Sequence, residues 1–182
     1  MTADIRRPAA SLPRYGRPLM WGSAAALLLA PAVAMRFTAE VRWGPGDFAV
    51  FGLMLALLCG GVELALRRAP GLAARAAAGI ALAGVFLLVW ANLAVGLIGS
   101  EGHPANLMYA AVIAIGASGT LAVRFRPAGM AWVMAAMALA QVLAAGIAAA
   151  MGWGRPFAAT ALFAAVWLAS ALLFRKAAAR DG

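Results

Sequence analysis

One carboxylate, two carboxamides and one histidine stand out in a chain that is 65% hydrophobic. They are Glu63, Asn92, Gln141 and His103, and the histidine lies between Glu101 and Asn106. Glu63 is an acid inside an apolar run, where burying its charge is costly. It has two readings: a proton or cation site facing a helical bundle, or half of an ion pair with Arg67, four residues on. Asn92 falls about 10 Å below one surface by helix rise. Gly96, Gly99 and His103 continue its face if the helix persists. Its amide suits a substrate or an ion, and equally a hydrogen bond to a neighbouring helix. Gln141, near the middle of a later run, has the same two readings.

Glu101, His103 and Asn106, with Glu40 and Asp47, are expected on one side of the membrane. A histidine and a carboxylate are too few for zinc, which takes three or four ligands. His103 suits a pH sensor, and solvated loop residues and helix caps are the plainer description of the group. Trp90 and Trp167 fall in mid-run, as the lining of a cavity for an apolar cofactor or quinone or as large core residues whose N–H groups need partners. Ser118 and Ser170 have no accompanying base, which argues against a nucleophilic enzyme. The sequence has no phosphate-binding glycine loop followed by Lys, no H-E-x-x-H, no C-x-x-C and no haem-type histidine pair. The expectation is no catalytic residue, no metal site and no cofactor.

The elements that must hold these residues are apolar runs long enough to cross a bilayer. Six are expected, at about 19–35, 48–66, 76–99, 107–123, 129–151 and 157–174, forming one transmembrane domain over 19–176. Residues 1–18 read as a flexible basic tail and 177–182 as a second tail. Backbone groups in lipid must be satisfied within the segment, so the fold class is all-α, an integral membrane helical bundle. Asp47 and Asn106 are expected as N-caps of the second and fourth spans. Gly52, Ala56, Gly60 and Glu63 share one face of the second span, and small residues there permit close helix approach. Trp21, Trp132 and Trp153 lie near span ends, as interfacial tryptophans do. The single cysteine, Cys59, lies within a span and permits no intrachain disulfide.

Charge decides the threading. A net charge of +9 in a soluble chain would suggest nucleic acid, but the basic residues lie between apolar runs, so no nucleic-acid partner is expected. With the N-terminus inside, the cytoplasmic segments hold 4, 3, 2 and 3 basic residues and the opposite segments hold 2, 0 and 1. That bias puts both termini in the cytoplasm. Fourteen of the fifteen basic residues are Arg, a composition typical of a GC-rich bacterial genome. Ala30-Pro31-Ala32-Val33-Ala34 has the look of a signal-peptide cleavage site, an alternative fate for the first span. Phe86-x-x-Val89-Trp90 recurs as Phe163-x-x-Val166-Trp167, a short match of the kind that inverted repeats in transporters would leave.

Three stretches carry a resemblance: AMRFTAEVRWGPGDFAVFG from Ala34 to Gly52, FLLVWANLAVGLIGSEGHPANLMY from Phe86 to Tyr109, and the ending WLASALLFRKAA. Together they resemble an uncharacterised family of small bacterial multi-pass inner-membrane proteins, with its N-L-A-V-G-x-I-G and P-A-N-L-M-Y pattern. The resemblance covers most of residues 30–178 and implies the same threading and a focus on Asn92 to Tyr109; it implies no activity. From the residues, the first expectation is a non-enzymatic accessory or interaction protein of the bacterial inner membrane. Its partners would be the lipid bilayer, a second copy or another membrane protein. The alternative is a small-solute or ion transporter or channel using Glu63 and Asn92, with Gln141 and the outer acidic group in support.

Overall fold

The computed structural model describes residues 15–181. The expected basic tail therefore lies outside the described residues as far as position 14, with Arg6, Arg7 and Arg14, and so does Gly182. The described residues form helices α1 (Gly16–Ala34), α2 (Pro45–Arg68), α3 (Gly71–Ala94), α4 (Leu107–Ala122), α5 (Pro127–Ala150) and α6 (Phe157–Asp181). A single turn of tighter helix, Pro104–Asn106, leads into α4, and no strand occurs among the described residues. All six helices, α4 taken with its leading turn, are long and apolar enough to cross a membrane. By length and composition the chain is a multi-pass membrane protein. Leucines such as Leu27, Leu53, Leu57, Leu139 and Leu162 are exposed, so the helices are apolar all round. That is the pattern of a helix immersed in lipid.

The chain divides into two compact units, one up to Arg68 and one from Ala69 onward. The first holds α1 and α2, which pack as a hairpin. The two helices meet at Gly52, where a Cβ would make ordinary contact with a methyl of Leu28 at 3.5 Å. At the hairpin end, Trp43 meets Phe48 and Phe51 edge-on, each with ring centroids 5.4 Å apart. Asp47 differs from its expected place. Helix α2 starts at Pro45, whose fixed φ suits a first helical position. Asp47 thus sits in the first turn and reaches back, its Oδ2 accepting from Gly44 N–H at 2.7 Å. This is the returning half of a capping box.

The second unit is built around α5, whose buried face runs Met130, Met134, Met137, Gln141, Ala144 and Ala148. Helix α6 lies along it, burying Phe163, Trp167, Ala171, Phe174 and Ala177. Helix α3 packs on α6 through Ala74, Ala77, Ala81, Gly84 and Leu88. Helix α4 packs on α5 through Val112 and Gly116. All these positions recur at spacings of three and four, one helix face each. Lipid removes the hydrophobic drive between helices, so close contact must supply the attraction. Small residues provide it: a Cβ on Gly84 would lie 2.7 Å from Val166, one on Gly116 2.6 Å from Met137 and one on Gly119 2.8 Å from Val133.

Two helix ends depart from the apolar runs. The third run was expected to stay helical to Gly99, but α3 stops at Ala94. Gly96 and Gly99 both adopt left-handed backbone, at φ 65° and 68°. At Gly96 a Cβ would lie 2.5 Å from the Ser100 and Glu101 backbone, so the turn requires glycine. The sixth helix runs on to Asp181 instead of stopping near Phe174. Arg175, Lys176, three alanines and Arg180 are strong helix formers, so the helix outlasts its apolar stretch.

Candidate functional site

Glu63 is the centre of the first unit's polar contacts. Arg17 Nε donates to Oε1 at 3.0 Å and its Nη2 to Oε2 at 2.9 Å, a two-pronged ion pair from α1 to α2. Trp21, one turn further along α1, donates its indole N–H to Oε1 at 2.9 Å. Arg67 Nη2 reaches Oε2 at 3.3 Å from the next turn of α2. The carboxylate side chain is 14% exposed, whereas Arg17 and Arg67 are 60% and 67% exposed. The acid is therefore the sheltered member, and the two guanidiniums extend from it toward water. Planar guanidinium matches carboxylate in a way that ammonium does not. We expect Glu63→Gln and Arg17→Gln each to loosen the hairpin, and the double variant to lose less than the sum of the two. Arg17→Lys should restore only part. A double-mutant cycle on thermal unfolding in detergent reads this coupling; strictly additive losses would contradict it.

The second constellation lies in the loop between α3 and α4. Asn106 is buried, and its side chain holds the loop shut. Its Oδ1 accepts from Leu97 N–H at 3.1 Å and from Ile98 N–H at 2.9 Å, and its Nδ2 donates to Ser100 O at 2.7 Å. This corrects the expected cap of α4: Asn106 precedes that helix in right-handed helical backbone and makes no side-chain cap bond to it. The proline turn before it delivers the side chain to the loop instead. His103 begins that turn, its Nδ1 accepting from Ala105 N–H at 3.2 Å. Its ring lies 5.6 Å from that of Trp153, in the loop after α5. Because α3 ends at Ala94, His103 does not continue the Asn92 face. Asn92 donates to Asn106 O at a long 3.4 Å, and its Oδ1 is buried without a partner. Glu101 is exposed at the tip of the loop. Glu40 belongs to the hairpin loop of the first unit, where Thr38 Oγ1 accepts from its N–H, and Asp47 to the first turn of α2 that follows. Among the described residues, no three His, Cys, Asp or Glu side chains gather as a metal-binding group.

Deeper in the second unit, Gln141 is fully buried on α5 and neither amide atom has a hydrogen-bond partner. The Trp167 indole N–H is in the same condition. The Tyr109 and Thr160 hydroxyls are neighbours, though neither reaches hydrogen-bond geometry. Ser170, by contrast, donates to Ala77 O at 2.9 Å and ties α6 to α3. The two Phe-x-x-Val-Trp matches occupy different settings. Phe163 and Trp167 are core residues, while Trp90 is 38% exposed and stacks on Phe86.

Of Arg17, Trp21, Tyr109 and Thr160, the sequence marks Trp21 only as an interfacial ring and Tyr109 only as the end of the stretch from Asn92, and it marks none of the four as a partner in a polar site. A signal exists for the first two: Arg17 and Glu63 are equidistant from residue 40, so a hairpin turning there pairs them. Tyr109 and Thr160 left no such signal. No family model matches the chain, and no curated protein and no solved structure matches it.

Proposed function

We propose that the chain is a non-enzymatic accessory or interaction protein of the bacterial inner membrane, with both termini cytoplasmic, acting through association with another membrane protein or a second copy. The observation that carries this reading is the saturation of Glu63. An acid available to a transported proton or cation should be free to exchange partners, but this one accepts from Arg17, Trp21 and Arg67 together. The excess of basic residues in alternate loops supports the orientation, and the arginine-rich composition supports the bacterial assignment. On α2, Gly52 is occupied by Leu28, whereas Gly60 has no atom within 4 Å of its Cβ position. Ala56 and Gly60 are exposed together one turn apart and suit close approach of another helix. Mild-detergent purification with mass spectrometry tests the reading. A stoichiometric partner or homo-oligomer should be present in the wild type and lost in Gly60→Leu at unchanged folded yield. A wild type that associates with nothing would overturn the proposal.

A second reading has its own support. The partnerless amide atoms of Gln141 and Asn92 Oδ1 are polar groups in an apolar bundle, where such groups are costly and often functional. They favour a small-solute or ion transporter or channel that uses Asn92 and Glu63. Flux into liposomes should then vanish in Asn92→Leu and Glu63→Gln while folded yield stays intact; unchanged flux in both would exclude it.

A further inference from the structure

We infer that the second unit carries a binding groove for one anionic phospholipid. Between α5 and α6 lies a groove with a volume of about 420 Å³, in the range of small-molecule sites. Ala131, Ala135 and Ala171 form its floor, and Trp132, Leu172 and Arg175 rise beside it. The groove exists because small and large residues alternate. The alanines leave a channel between two tightly paired helices, and Trp132, 79% exposed, stands out from α5 as one wall. The floor offers only methyl groups, so it suits a hydrocarbon chain.

Charge selects the headgroup. Arg175 pairs with no carboxylate among the described residues. Arg126 immediately precedes α5, Arg124 lies two residues before it, and Lys176 and Arg180 follow Arg175 on α6. Since α5 and α6 are joined by a short loop, the start of one and the end of the other lie together. That end of the unit is therefore strongly basic, and a lipid phosphate is the complementary group. An arginine on a long stem beside an interfacial tryptophan is placed to meet it at headgroup depth. A second copy seated symmetrically on the same groove would bring Arg175 against Arg175, so charge argues for lipid over self-association here.

The test uses the full-length protein in mild detergent, titrated with phosphatidylglycerol or with phosphatidylcholine of the same chains, and native mass spectrometry to count retained lipids. One phosphatidylglycerol should bind more tightly than the rest. Arg175→Gln should weaken it about 5-fold, the worth of one basic residue near an anionic headgroup. Ala135→Leu, which fills the floor, should weaken it with Arg175 intact; the exposed Ala128→Leu serves if Ala135→Leu lowers folded yield. Arg155→Gln, in the loop that joins α5 to α6 at the far end of the pair, removes the same charge away from the groove and should retain the lipid. Brominated phosphatidylglycerol should quench the fluorescence that is lost in Trp132→Phe, and brominated phosphatidylcholine should quench it less. Equal retention of the two lipids, or equal loss in Arg175→Gln and Arg155→Gln, would overturn the site, as would a dimer whose dissociation is needed to expose Trp132 to quencher. These readouts are independent of protein partners, so they stand or fall apart from the accessory reading.

Discussion

Asn106→Leu should destabilise the protein by on the order of 3 kcal/mol or more, the cost of stranding several buried polar groups. The substitution removes the acceptor shared by the Leu97 and Ile98 amides and the donor to Ser100 O, all inside a loop where Ile98 is fully buried. The loop cannot simply slide to find other partners. Gly96 and Gly99 are fixed in left-handed backbone, and the Ser100 and Glu101 backbone leaves no room for a Cβ at Gly96. Two milder variants calibrate the effect. Asn106→Asp keeps an acceptor for both amides but sets a carboxylate oxygen against Ser100 O in place of the donor, so its loss should become intermediate at low pH, where the protonated acid can donate again. His103→Ala removes one acceptor, from Ala105 N–H, and should cost least. Hydrogen exchange adds a local readout: the Leu97 and Ile98 amides should lose protection in Asn106→Leu while the amides of central α5 keep theirs. If both amides stay protected and thermal stability is unchanged, the loop is held by something other than Asn106.

The helical bundle was legible because its cause is compositional. Runs of about twenty apolar residues allow little besides spanning helices. The ends were less legible because hydropathy does not mark them. Gly96 and Gly99 continue an apolar run while their left-handed backbone ends the helix, and Arg175 to Arg180 end an apolar run while continuing the helix. The candidate polar residues divide in the same way. The contact of Glu63 with Arg67 is local, readable from a spacing of four. Its contacts with Arg17 and Trp21 cross 46 and 42 residues and depend on how the hairpin registers. Asn106 looked like a helix cap because it stands before an apolar run; only the folded loop shows that its amide faces backward, to residues 97–100. Gln141 was visible as a polar residue in a span, but its complete burial on the central helix was not.

Two glycines on α3 should respond to alanine with opposite signs. Gly84 sits where α3 crosses α6: a Cβ there would lie 2.7 Å from Val166 Cγ1, 2.8 Å from Trp167 Cζ3 and 3.0 Å from Cη2. Trp167 is fully buried and has no room to retreat. The helices must part, and overpacking of this kind costs about 1–3 kcal/mol for one added carbon. Gly84→Leu should exceed that and lower folded yield. Parting also threatens the buried bond from Ser170 to Ala77 O, two turns along the same interface. Gly79 is on the same helix with no atom within 4 Å of its Cβ position. Alanine there should be neutral or stabilising by up to about 1 kcal/mol, since it restricts the chain without meeting anything. Rescue separates steric conflict from a general intolerance of α3 to change. In a Val166→Ala, Trp167→Phe background the obstructing atoms are trimmed, and a cavity should lower the starting stability. Gly84→Ala should then cost much less than in the wild type, a coupling that appears in a double-mutant cycle on detergent unfolding. An undiminished cost would mean that the limit on helix approach lies in the backbone rather than in Val166 and Trp167. A stabilising Gly84→Ala in the wild type would mean that α3 and α6 are not in contact at this point.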